Sequence, residues 1–169
     1  MARRRKVVFD WYGTLGVSIP RDPAGRMLLR PHAEAVLRDL AAEYDLAIWT
    51  TAPADYMARA YRQFPVLGEV IGQLITREVA PIDDQTRITR GGVYDRFPRY
   101  SKNIALIGGD ILIEDYPAAK EEHPEFPVII VPSLEVAGPE DIARVEAEDR
   151  VLLALPPEIR RLLDSPHPS

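Results

Sequence analysis

The sequence contains no cysteine, which excludes disulfide scaffolds, thiolate metal sites and cysteine nucleophiles together. Any metal must be held by oxygen or imidazole. Histidine is scarce: His32, His123 and His167 are the whole complement, and none accompanies a nucleophile elbow of the serine-hydrolase kind. Lysine is equally scarce, limited to Lys6, Lys102 and Lys120. No apolar run approaches the length of a bilayer-spanning helix, so no membrane partner is expected. The basic start, Arg3 to Lys6, enters a strand directly, without the apolar core and cleavage site of a secretory signal. The expected location is therefore cytoplasmic. A formal net charge of -5 argues against a general nucleic-acid surface, and the arginine run reads as a solvated terminus.

What is present is an ordinary globular composition, 46% hydrophobic and 28% charged over 169 residues, enough for one well-buried domain spanning 1–169. Lys6 to Trp11 reads as a short buried strand, because Val7, Val8 and Phe9 are continuous rather than alternating. Gly16 to Arg30 reads as loop, broken by Pro20, Pro23 and Gly25. Pro31 suits the first turn of a helix, and Ala33, Val36, Leu37, Leu40 and Ala41 recur at the spacing of one helical face. Leu46 to Trp49 is a second strand ending in Thr50 and Thr51, before Pro53 opens a helix through Tyr61. Val70 to Val79 gives a weaker strand. The polar stretch beyond it, with Asp83, Asp84 and the Gly91 Gly92 pair, accommodates a hairpin or small flap at about 66–99. Ile111 to Ile113 and Val128 to Val131 are further buried strands, and Pro139 to Glu148 and Pro157 to Leu163 are closing helices. This alternation predicts an α/β fold, a parallel sheet with helices on both faces, and ligands outside the carboxyl ends of the strands.

The first strand delivers Asp10 straight into Gly13 and Thr14. Glycine permits close backbone approach, the amides of such a turn can cradle an anion, and Thr14 adds a short donor. A strand running into an ordinary turn is the alternative reading of these residues alone. Asp10 to Leu15, Asp-Trp-Tyr-Gly-Thr-Leu, resembles the first motif of the haloacid dehalogenase superfamily. The resemblance implies a three-layer Rossmann-like core and a nucleophilic Asp10 that forms a covalent ester. Phosphatases of that superfamily carry a second Asp two residues after the nucleophile; here Tyr12 stands in its place, as in the dehalogenase and phosphonatase branches.

Four strand ends or neighbouring segments then offer chemistry together: Asp10, Thr50, Lys102, and the pair Glu114 and Asp115. Two adjacent carboxylates closing a buried strand repel one another without a cation, and hard oxygen donors suit Mg2+. On this reading Asp10 is nucleophile and metal ligand, and Glu114 and Asp115 ligate the ion directly or through water. Lys102 holds the transferring phosphoryl group, and Thr50 donates to a phosphoryl oxygen. Taken singly, Thr50 also reads as a plain strand-end residue, with Thr51 competing for its role, and Lys102 as a solvated surface lysine.

The segment from Leu29, Arg30 and Pro31 through Leu46 to Thr50 and on to Tyr56 resembles the RNA polymerase C-terminal-domain phosphatase branch, the NLI-interacting-factor-like phosphatases. Lys102, Asn103 and Ile104 resemble its Lys-Asp-Leu segment, and Glu114 to Pro117 its acidic pair with following proline. A rival register takes Gly109 and Asp110 with Asp115 as the acidic motif, which makes Asp110 a ligand instead. The resemblance implies a phosphorylated substrate. With only 15–31 and 65–99 available for insertions, no large cap domain is expected, so the site is open to a macromolecular partner.

Tyr12 complicates this chemistry. A phenol is a poor base at neutral pH, although the Tyr12 carbonyl can still bind the metal, so phosphoester turnover is expected to be slow. His32, Asp55 and Tyr56 are replacement acid or base candidates without positional support. Two alternatives remain: a catalytically impaired relative acting as a binding module, and a dehalogenase or phosphonatase. The last is disfavoured because a small haloacid needs an enclosed pocket.

Overall fold

The computed structural model describes residues 3–84, 86, 88–89 and 99–164. In chain order the elements are β1 (Lys6–Phe9), β2 (Gly16–Ser18), β3 (Met27–Leu29), α1 (Ala33–Glu43), β4 (Asp45–Trp49), α2 (Ala54–Gln63), α3 (Pro65–Val70) and β5 (Ile71–Ile75). There follow β6 (Ile88–Thr89), β7 (Arg99–Tyr100), a 3-10 turn (Ile104–Ile107), β8 (Ile111–Glu114), α4 (Ala119–Glu122), β9 (Val128–Ile130), α5 (Ile142–Glu148) and α6 (Leu155–Asp164). Five strands form one sheet in the order β5-β4-β1-β8-β9, and every pairing within it is parallel. The α/β class expected from the alternation is the observed one.

Alternate residues of the apolar runs supply the two faces of this sheet. Val7, Phe9, Leu46, Ile48, Ile111 and Ile113 pack beneath α1, α2, α3 and α6, against residues such as Leu37, Met57, Leu67 and Ile159. Val8, Ala47, Trp49 and Leu112 face the other way, against Tyr100, Ile104 and Ala119. A sheet buried on both faces explains why its strands read as continuous apolar runs. The second face is covered mainly by a 3-10 turn and one turn of helix, less than the full helical layer the alternation suggests.

The expected 16–30 loop is instead an antiparallel pair, β2 with β3, registering Gly16 with Leu29 and Ser18 with Met27. The breakers Pro20, Pro23 and Gly25 occupy its connection, while Val17, Ile19 and Leu28 join Leu134 and Val145 in a satellite core. Pro31 also lies outside α1, which begins at Ala33 after His32 in the left-handed region at φ 67. The arginine run is exposed yet anchored. Arg3 donates to the Gly108 carbonyl and to Asp110, and Arg4 to the carbonyls of Ala41, Glu43 and Tyr44. These contacts fasten the start of β1 to the amino edge of the sheet.

Within the 66–99 interval, α3 and β5 complete the main sheet, and β6 pairs antiparallel with β7. The Gly91 Gly92 pair lies outside the described residues, as does the tail 165–169.

Trp11 is fully buried beneath the β2–β3 pair, and a Cβ on Gly16 would lie 2.6 Å and 2.7 Å from two of its ring carbons. Gly16→Ala therefore forces the ring or the strand to move. The expected cost is about 1–3 kcal/mol, read as a lower urea midpoint at unchanged slope.

Candidate active site

Parallel register sets which side chains meet. β1 pairs Phe9 with Ile113 of β8 and Ile48 of β4, and the Asp10 amide donates to the Ile113 carbonyl at 2.8 Å. Asp10, Thr50 and Glu114 thus leave neighbouring strands at one edge, the carboxyl end of the sheet. Lys102 reaches the same place from the connection between β7 and the 3-10 turn.

The lysine is the centre of the cluster. Its Nζ lies 2.5 Å from Asp10 Oδ1 and 2.8 Å from Glu114 Oε2, and all three side chains are over nine-tenths buried. Lys102 is therefore no solvated surface lysine. Glu114 Oε1 accepts the Asp115 amide at 3.1 Å, and Thr14 Oγ1 lies 3.4 Å from Asp10 Oδ2. Burial, then the charge of Glu114, raise the Asp10 carboxyl from 3.8 to about 7 against the opposing pull of Lys102. Burial alone would depress the Lys102 ammonium, but Asp10 and Glu114 together raise it.

Asp10, Glu114 and Asp115 each offer a carboxylate oxygen within 4.8 Å of the others. Three carboxylates against one lysine leave excess negative charge, and the donors are all hard oxygens. That set fits Mg2+, whose opposite ligands stand ~4 Å apart. Gly13 completes the enclosure at φ 79: a Cβ there would overlap Asp115 Oδ2 and sit 2.6 Å from Ser133 Oγ. Close packing of Asp115 over this backbone requires glycine.

Thr50 is buried beside the cluster, and its hydroxyl oxygen accepts the Ala52 amide at 3.1 Å, which leaves its O–H as a donor. Tyr12 differs from the other candidates in being 40% exposed.

Several expectations are corrected. Asp110 precedes β8, where it accepts the Lys6 amide and the Arg3 guanidinium, each at 2.7 Å. It lies at the amino edge, a strand length of roughly 13 Å from Glu114, so the rival register does not assemble a site. Four of the turn amides are committed within the turn, those of Thr14, Leu15 and Gly16 to the Trp11 carbonyl and that of Gly13 to Gly16, so a cradle for an anion beside Asp10 could draw only on the amides of Trp11 and Tyr12. Of the replacement acid or base candidates, Tyr56 is bonded to Ser18 Oγ at 2.9 Å, Asp55 accepts the Tyr56 amide, and His32 heads α1. None of their described contacts reaches Asp10.

Sequence reasoning named Arg30 only as part of a motif and missed its hold on the loop after Asp10, as it missed the partly buried Asp149 that pairs with it. Arg30 donates to the carbonyls of Gly13 and Thr14 and pairs with Asp149 at 3.0 Å. Asp149 sits among Glu146, Glu148 and Arg150, 119 residues away, with nothing to mark it apart from its charged neighbours.

Residues 7–155 match the family described as NLI interacting factor-like phosphatase. The chain belongs to that family. No curated protein matches the sequence. Among solved structures, Fcp1, titled an essential RNA polymerase II CTD phosphatase, shares 14% identity at a TM-score of 0.52, covering 98% of this chain and 55% of its own. A component of the Pnkp1/Rnl/Hen1 RNA repair complex shares 19% identity at TM-score 0.50, covering 76% of this chain and 43% of that one. The haloacid dehalogenase-like protein SP0104 from Streptococcus pneumoniae shares 11% identity at TM-score 0.54, covering 92% and 98%. This member of the NLI interacting factor-like family therefore has the haloacid dehalogenase fold and spans about half the length of the first two neighbours.

With no ion bound, the Asp10 carboxyl titrates higher in the folded chain than in the unfolded one. Its contribution to stability is complete below about pH 4 and is lost as pH rises toward about 7. Calorimetry in a chelating buffer is expected to show Tm falling more steeply across that range than in Asp10→Asn, which removes the buried charge. Mg2+ at neutral pH is expected to raise Tm in the unaltered protein and not in Asp10→Asn.

Proposed function

We propose that this chain is a Mg2+-dependent phosphohydrolase acting through a covalent aspartyl-phosphate on Asp10. The observation that carries the reading is the buried Asp10–Lys102–Glu114 contact, with Asp115 in the same 4.8 Å cluster, at the carboxyl edge of the sheet. Membership of a phosphatase family supports the class of reaction.

In the first step a carboxylate oxygen of Asp10 attacks phosphorus and the bond to the leaving oxygen breaks, giving an acyl phosphate. Lys102 stabilises charge on the transferring group, and the Thr50 hydroxyl donates to one of its oxygens. Asp10, Asp115 and the Tyr12 carbonyl would hold Mg2+, with Glu114 acting directly or through water, and the bound ion would neutralise the phosphoryl oxygens. Glu114 has the further task of anchoring Lys102. Water then cleaves the acyl phosphate, releasing phosphate and restoring the carboxylate.

Tyr12 makes the first step dependent on the leaving group and leaves the second, common to all substrates, short of a base. The first step leaves an alkoxide that needs a proton, and the second needs a base for water. Proton help of this kind is worth about a hundred- to ten-thousand-fold, and a phenol supplies little of it as a base at neutral pH. Acidic phenols need no such proton, so aryl phosphates are the favoured small substrates. The natural substrate on this reading is a phosphomonoester presented by a macromolecule at an open, capless site. The likeness to an RNA polymerase II CTD phosphatase and to a component of an RNA repair complex supports a large substrate.

Phosphate release from phenyl phosphate, a serine-phosphorylated peptide and a 3′-phosphorylated oligonucleotide, each with and without Mg2+, tests the reading. Release is expected to require Mg2+ and to vanish in Asp10→Asn; activity surviving that substitution contradicts the assignment. Tyr12→Asp is expected to raise kcat on alkyl phosphates by about 10- to 100-fold and on phenyl phosphate by less, through the shared second step alone. Tyr12 also favours a second reading, a partner-binding module without turnover. That reading predicts no phosphate release from any substrate and no gain in Tyr12→Asp.

A further inference from the structure

Arg30 is the one arginine among the described residues with a buried side chain, 2% exposed as a residue. It lies apart from the reacting groups. Its Nη1 donates to the Gly13 carbonyl at 3.2 Å and the Thr14 carbonyl at 3.3 Å, and its Nε to Asp149 Oδ2 at 3.0 Å. Its own amide donates to the Leu15 carbonyl at 2.7 Å. One residue therefore ties down three successive carbonyls of the loop that leaves Asp10.

Asp149 is itself fixed. Its amide donates to the Val145 carbonyl at 2.9 Å, closing α5, and its Oδ1 accepts the Val151 amide at 3.0 Å. Both carboxylate oxygens are thereby committed, one to the backbone and one to the guanidinium. The loop held in this way is the one against which Asp115 packs, since Asp115 Oδ2 occupies the space a Gly13 side chain would take. A shift of Gly13 moves the floor under one metal-site carboxylate and, through Thr14, the hydroxyl nearest Asp10. Burial weakens the Arg30 guanidinium's hold on its proton, and the charge of Asp149, then that of Asp115, offset this in part, so both carboxylates act on this one cation.

We infer that Arg30, oriented by Asp149, is the positioning residue of the nucleophile loop, holding Gly13 and Thr14 so that Asp10 and Asp115 converge on one divalent ion. The inference rests on the Mg2+ site proposed above. Arg30 touches neither the transferring group nor the ion, and its effect passes through the two carbonyls it holds. A buried ion pair that served only to hold α5 in place would lower stability and leave metal affinity in the folded protein untouched.

The test uses the full chain and two substitutions at Asp149. Asp149→Asn keeps an oxygen for the Val151 amide and removes the charge facing Arg30, whereas Asp149→Glu keeps the charge. Two quantities are read on folded protein: Mg2+ affinity by titration calorimetry with the metal alone, and hydrogen exchange of the 13–16 amides. Asp149→Asn is expected to weaken Mg2+ binding at least about tenfold and to speed exchange of those amides by a similar factor, with Asp149→Glu recovering part of both. With phenyl phosphate the loss is expected in kcat more than in KM. Unchanged exchange at 13–16 in Asp149→Asn overturns the inference, as does a Mg2+ affinity within twofold of the unaltered protein. If the unaltered protein binds no Mg2+, the metal reading of the site falls, and with it the role assigned to Arg30; the exchange result then separates a loop clamp without metal from no clamp at all.

Discussion

A lysine ammonium withdrawn from water between two carboxylates, Lys102 against Asp10 at 2.5 Å and Glu114 at 2.8 Å, is the contact on which the site depends. Removing Lys102 would leave two buried carboxylates facing each other without their cation, a loss of about 3–5 kcal/mol in comparable settings. Because the contact joins the ends of β1 and β8 to the segment before the 3-10 turn, it also fixes where those segments stop. Asp115 adds a third carboxylate that the lysine does not neutralise. The cluster thus combines a lysine-held buried carboxylate with a surplus of negative charge, the electrostatic condition for drawing in a divalent cation.

Much of this was legible in the sequence. Val7 to Phe9, Leu46 to Trp49 and Ile111 to Ile113 are strands buried on both faces, and an apolar run that long and that short has few other uses. Once their parallel arrangement is granted, Asp10, Thr50 and Glu114 fall at one edge, because parallel strands present the same end together. The acidic pair was equally readable, and the choice between Asp110 and Glu114 follows from asking which end of β8 each occupies. Asp110 begins the strand and Glu114 ends it.

What stayed hidden depends on pairing across sequence distance. Lys102 is 92 residues from Asp10, and nothing in Ser101, Lys102 and Asn103 states that the ammonium is buried rather than solvated. Arg30 and Asp149 are further apart still. The β2–β3 hairpin escaped because its strands are three residues each, and the prolines and glycine of its connection masked the apolar content of Val17, Ile19 and Met27 to Leu29. The turn after Asp10 was read as offering its amides to an anion. Those of Gly13 to Gly16 instead close on the turn's own carbonyls, a pairing that the spacing of Asp10, Gly13 and Thr14 does not announce.

The most direct measurement of the central claim is a crystal structure of the protein grown with Mg2+ and beryllium fluoride. The account predicts a fluoroberyllate bonded to an Asp10 oxygen, with Lys102 beside its fluorines and one Mg2+ bound between Asp10 and Asp115. Fluoroberyllate absent from Asp10 in crystals that hold Mg2+ there, or Mg2+ bound at a place that excludes both carboxylates, would contradict it.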